Sequence, residues 1–173
     1  MKSSNNSEVF LQADDCFLRP WRVEDAEWYV KSRDEVVFEW TTEKRDLTVE
    51  ETEDAIRKVN NNPDAFSFAI VDSSSKAILG NIALVLEEND RSVGEIMYWL
   101  APWGRGRGLA TNAVKLLCRW AFDSLALERV TLKTHPQNVH SQKVAERAGF
   151  CRRVGTNEGN PDAQYLWFEL VAY

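Results

Sequence analysis

The apolar positions of this chain follow two different periods, and their succession predicts a mixed α/β fold. Ala65–Val71 alternates with the period of two that is expected of a strand. Leu109–Asp123 instead spaces its apolar residues three and four positions apart, which is typical of one face of a helix. The pattern predicts about seven strands, at 16–20, 65–71, 77–86, 93–100, 129–135, 150–154 and 163–171, and about four helices, at 23–30, 48–59, 109–123 and 138–148. Because short turns join the first strands, the sheet is expected to be mixed and mostly antiparallel.

The most informative stretch is Val93–Asp123, which has the pattern of a strand, a glycine-rich turn and a helix. Val93–Leu100 is almost wholly apolar except for Glu95, which predicts a strand that is buried on both faces. Pro102 ends this strand because proline has no backbone N–H to donate. Three glycines, at 104, 106 and 108, then alternate with arginines at 105 and 107 before the helix begins.

A glycine-rich turn that leads into a helix is an expected anion site. The first amides of a helix have no partner within it, and the positive end of the helix dipole also favours phosphate. The two arginines add donors that suit phosphate oxygens. The turn is neither a Walker loop, since Lys followed by Ser or Thr is missing, nor a dinucleotide fingerprint, since Leu109 follows the last glycine. A surface loop whose arginines only promote solubility is the alternative interpretation.

Composition restricts the class of protein. A chain of 173 residues with 44% hydrophobic residues predicts one globular domain over 1–173, in which only the polar residues 1–8 are expected to be disordered. The formal net charge of −6 disfavours nucleic-acid binding and suits an amine or a basic peptide. The cysteines and histidines lack metal-ligand spacing, so reduced thiols and no metal are expected. The chain shows neither a signal peptide nor an apolar run of roughly 20 residues, which predicts a cytoplasmic protein without a membrane partner.

Arg105-x-x-Gly108-x-Ala110 resembles the (Gln/Arg)-x-x-Gly-x-(Gly/Ala) signature of the GNAT superfamily of N-acetyltransferases. The surrounding run YWLAPWGRGRGLAT is similar to the Rim-type branch, which acetylates the N-termini of ribosomal proteins. The strand that ends in LRP, the helix start with Glu-Asp, and the pattern Asn138-x-x-Ser141 followed by Gly149-Phe150 extend the resemblance to about residues 16–171.

The resemblance implies a GNAT fold that binds acetyl-CoA as a co-substrate, with the pyrophosphate held by backbone amides of the glycine-rich loop. It also implies that the strands at 93–100 and 129–135 splay apart at their C-terminal ends and leave a wedge for the pantetheine arm. Asn138 would bond to the coenzyme, although it can equally cap its own helix. The residues expected to bind the coenzyme are Trp99, Leu100, Arg105, Gly106, Arg107, Gly108, Leu109, Ala110, Thr111 and Asn138, with a backbone N–H near Trp99–Leu100 for the oxyanion.

Two residues are candidates for the chemistry. A lone carboxylate within an apolar strand has its pKa raised by desolvation, and a raised pKa suits Glu95 to act as a general base. The resemblance implies the same role, because related enzymes carry a catalytic glutamate at this place in the strand. The alternative is that Glu95 forms a structural ion pair across the sheet. Ser141 would stabilise the departing thiolate through a hydrogen bond, or it is merely a serine in the first turn of a helix. His135 and His140 are weaker candidates for the base because they are not clustered with other polar groups.

The acceptor is expected to be a primary amine, with a protein N-terminus favoured by resemblance alone and a small-molecule amine such as an antibiotic or polyamine as the alternative. In the family the segment between the first two helices borders the acceptor, so Glu39, Trp40 and Glu43 are candidate substrate contacts, although Trp40 suits core packing equally. A module that binds acyl-CoA without catalysis and an RNA-binding role for the GRGRG run are rival interpretations. A monomer or a homodimer is expected.

Overall fold

A computed structural model of the chain describes residues 8–153 and 164–173. Within them, one mixed sheet has the strand order β1-β2-β3-β4-β5-β6-β8-β7. The strands are β1 Leu11–Gln12, β2 Cys16–Pro20, β3 Ala65–Asp72, β4 Ile78–Leu86, β5 Val93–Leu100, β6 Arg129–Thr134, β7 Cys151–Arg152 and β8 Leu166–Val171. The helices are α1 Ala26–Lys31, α2 Glu35–Trp40, α3 Val49–Asn60, α4 Leu109–Leu125 and α5 Val139–Arg147.

All neighbouring strands pair antiparallel except β5 and β6, which run parallel. A parallel neighbour requires a long crossover, and α4 is that crossover. The mixed, mostly antiparallel sheet is therefore confirmed, with eight strands and five α-helices in the described residues where about seven and about four were expected.

The two faces of the sheet are covered by different helices. Leu117 and Val114 of α4 lie in the larger core with Phe68 and Ile82 of the sheet. A smaller core on the other face joins the first helices to Ala69 and Val71 of β3. Because successive side chains of a strand point to opposite faces, β3 supplies both cores and is buried on both sides.

Several local predictions are confirmed. The spacing Thr48-x-x-Glu51 predicts a capping box, and these two residues form it at the start of α3, with N–H···O distances of 3.1 and 2.9 Å. Gly149 follows α5 with φ of +93°, the left-handed conformation expected of a helix end. A glycine inside a predicted strand, such as Gly80, indicates a bulge, and the bulge is present, because Leu79 is the extra residue that the β3 register skips.

Other predictions are corrected. Strand β5 is not buried on both faces, since Met97 is 47% exposed. The helix expected at 23–30 begins as a 3-10 turn, Val23–Asp25, before α1. The terminal hairpin pairs Cys151 with Glu169 as expected, but residues 154–163, and residues 1–7 at the other end, lie outside the described residues. Among the residues described, no helix is both long and apolar enough to cross a bilayer.

Candidate active site

Strands β5 and β6 separate after a short stretch of pairing. They pair only from Val93–Arg129 to Glu95–Thr131. Beyond that point β5 stays paired with β4 as far as Leu100, and β6 stays paired with β8. The predicted splay of the two strands at their C-terminal ends is therefore confirmed, and it leaves a wedge between them.

The backbone of β5 directs amides into this wedge. The N–H of Ala101 donates to the Leu79 carbonyl of β4 at 2.8 Å. Because successive N–H groups of a strand point in opposite directions, the N–H of Leu100 points away from β4, into the wedge. The same alternation turns the N–H of Trp99 toward β4. Of the two positions expected to supply an oxyanion donor, the register therefore favours Leu100.

The glycine-rich turn has the geometry of an anion cradle. Gly106 and Gly108 have φ of +75° and +76°, and a Cβ built on either would meet no atom within 4 Å. Gly108 is the N-cap of α4 and provides no side-chain cap for the first amides of the helix. Gly104 differs, since a Cβ there would lie 2.8 Å from the Leu79 carbonyl oxygen, so this glycine allows the turn to pack on β4. The turn thus leaves the first amides of α4 without a side-chain cap at the positive end of the helix.

Both arginines of the turn bind carboxylates of the protein. Arg105 donates to both oxygens of Asp34 at 2.7 and 2.8 Å, and to the Leu100 carbonyl at 2.9 and 3.1 Å. Arg107 donates to Asp72 at 2.5 Å. Hydrogen bonds from Ser74, Ser75 and Arg107 hold the pKa of Asp72 far below its usual range, so that pair is ionised at neutral pH. A side-chain contact from Arg105 or Arg107 to phosphate stays a prediction, and it would have to share or replace these partners.

Asp34 connects the turn to helix α2. One of its oxygens accepts from the Val37 N–H at 3.2 Å and so caps α2, while both oxygens hold Arg105. The hydrogen bond from Arg105 is the main reason that the pKa of Asp34 lies below its usual value. This carboxylate is therefore ionised at neutral pH, and the contact weakens only as the pH falls into the acid range.

Asp34→Asn is expected to release Arg105 while keeping the cap, because Asn caps helices as well as Asp does. The free energy of unfolding should fall by about 1–2 kcal/mol, since the lost charged bonds are one-third exposed. The affinity of the glycine-rich turn for an anion should fall as well. Asp25→Asn is the matched control, because Asp25 also caps a turn and binds Arg19 at 2.6 and 3.0 Å, away from the wedge. Equal anion affinities in the two variants, measured by calorimetric titration, would contradict this role of Asp34.

Helix α2, which the sequence did not predict, lies across the open end of the wedge. Its N-cap Asp34 is bound to Arg105 beside the end of β5. At its other end the Trp40 ring lies 5.6 Å from the ring of His135, just after β6. The half-buried Trp40 therefore packs at the wedge rather than deep in a core, whereas Glu39 is exposed beside it.

Glu43 is held in a buried network on the same face. It accepts from Tyr29 at 2.7 Å, from the Trp99 indole at 3.3 Å and from Arg33 at 3.0 Å. Burial raises the pKa of Tyr29, and the neighbouring Glu43 carboxylate raises it further, so this phenol donates throughout the neutral range. The rings of Trp28 and Trp99 stack at 6.1 Å beside the network. These contacts join the segment after α2 to the far half of β5.

Glu95 is the last residue of β5 that pairs with β6, and the ion-pair alternative is present in the structure. The Lys133 ammonium lies 3.4 Å from a Glu95 carboxylate oxygen, and 21% of the Glu95 side chain is exposed. Glu95 is therefore not the lone carboxylate in apolar surroundings that the sequence indicated. The acids at 87–90 are a further alternative for the base, but they follow the end of β4 at the hairpin into β5, far from the wedge.

A pair of hydroxyls crosses the wedge on the α5 side. The Tyr98 hydroxyl donates to Ser141 Oγ at 3.1 Å. Burial raises the pKa of Tyr98 to about 12, so the phenol remains a donor at neutral pH. Asn138 caps α5 as expected, accepting from the Ser141 N–H at 3.1 Å through its amide oxygen. The cap leaves the amide NH2 group of Asn138 as a donor on the same side.

Sequence reasoning missed three residues of this site, namely Asp34, Tyr98 and Lys133. The signal for Tyr98 was available, since it is a hydroxyl-bearing residue two positions before Leu100 in an apolar strand. Asp34 lies 71 positions from Arg105, so no local pattern could connect them. Lys133 lies in the predicted strand at 129–135, whose pattern does not show which residue faces it across the sheet.

Residues 16–151 match the family model described as "Acetyltransferase (GNAT) domain". An N-acetyltransferase 9-like protein of Caenorhabditis briggsae is 27% identical over 86% of this chain and 80% of its own length. A probable N-acetyltransferase of Bacillus subtilis, YjcK, is 27% identical over 91% of both chains.

Solved structures show the same fold. A putative ribosomal-protein-serine acetyltransferase from Vibrio cholerae has a TM-score of 0.77 at 20% identity, covering 96% of this chain and 99% of its own. Spermidine N-acetyltransferase from Vibrio cholerae, in complex with CoA and spermine, has a TM-score of 0.78 at 18% identity, covering 92% and 96%. The acceptors named for these two structures differ in kind, so the shared fold does not identify an acceptor.

Proposed function

The chain belongs to the GNAT family of acetyltransferases, and we propose that it transfers the acetyl group of acetyl-CoA directly to the α-amine of a protein or peptide N-terminus. The observation that carries the proposal is the wedge between β5 and β6, which lies beside the glycine-rich start of α4. The cradle fits the anionic end of the coenzyme, because the first amides of α4 have no side-chain cap and the glycines leave the approach open. The wedge then receives the pantetheine arm and the thioester.

The acceptor enters in this proposal from the face that carries α2. The acids beside the wedge on that face are largely matched by basic partners: Asp34 by Arg105, Glu43 by Arg33, and Glu95 by Lys133. Glu35 and Glu39 of α2 are both exposed, and Glu35 is paired with Arg45. A polyamine carries several charges and would need several carboxylates of its own. The charge balance therefore favours an acceptor with one amine, as a peptide N-terminus has, and Glu39 and Trp40 are its proposed contacts.

The proposed mechanism requires little from the protein beyond placement, because a thioester is already activated and positioning two substrates supplies much of the rate. Glu95 accepts the proton of the acceptor ammonium, directly or through water. The neutral amine attacks the carbonyl, and the N–H of Leu100 stabilises the oxyanion. As the C–S bond breaks, Ser141 donates a hydrogen bond to the thiolate. The bond that Ser141 accepts from Tyr98 makes it a better donor.

Ser141→Ala is expected to lower kcat by up to roughly 100-fold without changing acetyl-CoA affinity, because its bond strengthens only as the thiolate forms. Tyr98→Phe removes one hydroxyl from the same pair and should have the smaller effect on kcat. Pre-steady-state thiol release separates chemistry from product release in both variants. If kcat is unchanged in Ser141→Ala while chemistry limits the rate, Ser141 has no part in the reaction.

A thiol-release screen tests the function as a whole. Three sets of amines are compared: peptides with free N-termini, the same peptides with blocked N-termini but free lysines, and polyamines or amine antibiotics. The free N-termini are expected to give the highest kcat/KM, and blocking them should abolish release. A higher kcat/KM for a polyamine would overturn the choice of acceptor while leaving the use of acetyl-CoA intact. Acetyl-CoA binding without release for any amine would instead support a regulatory module.

A further inference from the structure

The ammonium of Lys133 is held where an acceptor amine would be recognised. It lies 3.4 Å from the Glu95 carboxylate. The rings of Tyr165 and Trp167 flank it, with centroids 5.7 and 5.5 Å from the nitrogen. A carboxylate and two aromatic faces are the groups that bind a primary ammonium in general. The protein therefore places a primary amine of its own against the proposed base.

The position of Lys133 along β6 places this amine at the wedge. Thr131 is the last residue of β6 that pairs with β5, and its partner is Glu95. Lys133 follows two residues later, so its side chain points to the same face as that of Thr131, the face on which the acceptor is proposed to enter. One-third of the Lys133 side chain is exposed, so this side chain lies at the protein surface and not in the core.

We propose that Lys133 is itself a substrate, so that the enzyme acetylates this lysine from acetyl-CoA. The proposal rests on the proposed function, because it uses the same thioester and the same base. Glu95 takes one proton from the Lys133 ammonium, and the neutral Nζ forms a bond with the acetyl carbon. The C–S bond breaks, and coenzyme A leaves as the thiol after its thiolate is protonated. The products are Nε-acetyl-Lys133, free coenzyme A and one proton.

Acetylation of Lys133 changes the charge around Glu95. The amide that forms is neutral, so it cannot keep the ion pair with the carboxylate. An external amine then no longer competes with Lys133 for Glu95. The modified enzyme should therefore have a lower KM for its amine acceptor than the unmodified enzyme, with the same affinity for acetyl-CoA.

Peptide mass spectrometry after incubation with acetyl-CoA tests the proposal. Lysines at the surface, Lys115 of α4 and Lys143 of α5, report the background reaction of acetyl-CoA with exposed amines. We expect one acetyl group per chain at Lys133, formed at least about tenfold faster than at either exposed lysine, and its absence in Lys133→Arg. Background chemistry predicts the reverse order, because Lys133 is the least exposed of the three and is ion-paired.

Two further variants tie the modification to the site. Glu95→Gln should slow acetylation of Lys133, and Gly108→Val should abolish it, while the background at Lys143 is unchanged in both. Equal rates at Lys133 and Lys143 would overturn the proposal. An unmodified Lys133 in an enzyme that releases thiol with an external amine would also overturn it and leave the proposed function standing. If the proposed function itself is wrong, the enzyme will release no thiol with any amine.

Discussion

Gly108→Val should reduce acetyl-CoA binding at least about 100-fold, which corresponds to a loss of roughly 3 kcal/mol. Gly108 has φ of +76°, a conformation that costs a valine about 1–3 kcal/mol. The Cβ built on Gly108 points into open space, so the binding loss would come from the approach of phosphate to the α4 amides and not from a clash within the protein. Calorimetric titration with acetyl-CoA measures the affinity directly.

Gly149→Val is the matched control for backbone strain. Gly149 has φ of +93° at the end of α5, where an added Cβ would meet only Leu170, at an ordinary contact distance of 3.8 Å. The Gly149→Val variant should lose about as much stability as Gly108→Val and should still bind acetyl-CoA. Thermal unfolding of both variants shows that each is folded. Wild-type affinity in a folded Gly108→Val protein would mean that the coenzyme binds elsewhere.

Glu95→Gln is expected to lower kcat by roughly 10²–10⁴-fold with little change in acetyl-CoA affinity, because glutamine keeps the shape of the side chain and cannot accept the proton. The low-pH limb of the kcat/KM profile should disappear, since that limb reports the base in the free enzyme. A higher pH should partly restore the rate, because more of the acceptor amine is then already neutral.

Glu169→Gln is the control for loss of a carboxylate on this face of the sheet. Glu169 pairs with Thr131 from the β8 side, as Glu95 does from the β5 side, and it lies near Arg129 and Arg153. Its pH profile should match that of the wild type. If Glu95→Gln also gave a wild-type profile, Glu95 would be only the ion-pair partner of Lys133, and the reaction would have to proceed without it.

The sequence predicted the parts of this molecule that depend on local patterns. The strand, turn and helix around Val93–Asp123, the capping box of α3 and the Asn138 cap all follow from residues within a few positions of one another. The resemblance added the splay of β5 and β6, which the strand register confirms. Helix ends differed by at most three residues, because fraying and 3-10 turns blur these limits.

Partnerships between distant residues could not be predicted. Helix α2 has six residues, too few to be stable alone, and depends on Asp34 and on the contact between Trp40 and His135. The sequence allowed an ion pair for Glu95 but could not name its partner, because Lys133 comes 38 positions later, on a strand whose neighbour only the fold determines. The roles of Arg105 and Arg107 were interpreted from charge alone, whereas the fold supplies each with a carboxylate.

The position of α2 has a steric consequence for the substrates. A six-residue helix is about 9 Å long, and this one is attached beside the end of β5 through Asp34 and beside the end of β6 through Trp40. Helix and strand ends together make a closed window whose width is set by the length of the helix. An amine at the tip of an extended chain can pass through such a window end-on, whereas an amine carried on a fused ring system or on a rigid protein surface is too wide. The cross-section of the acceptor should therefore exclude wide amines, and the charge balance should rank those that are narrow enough to pass.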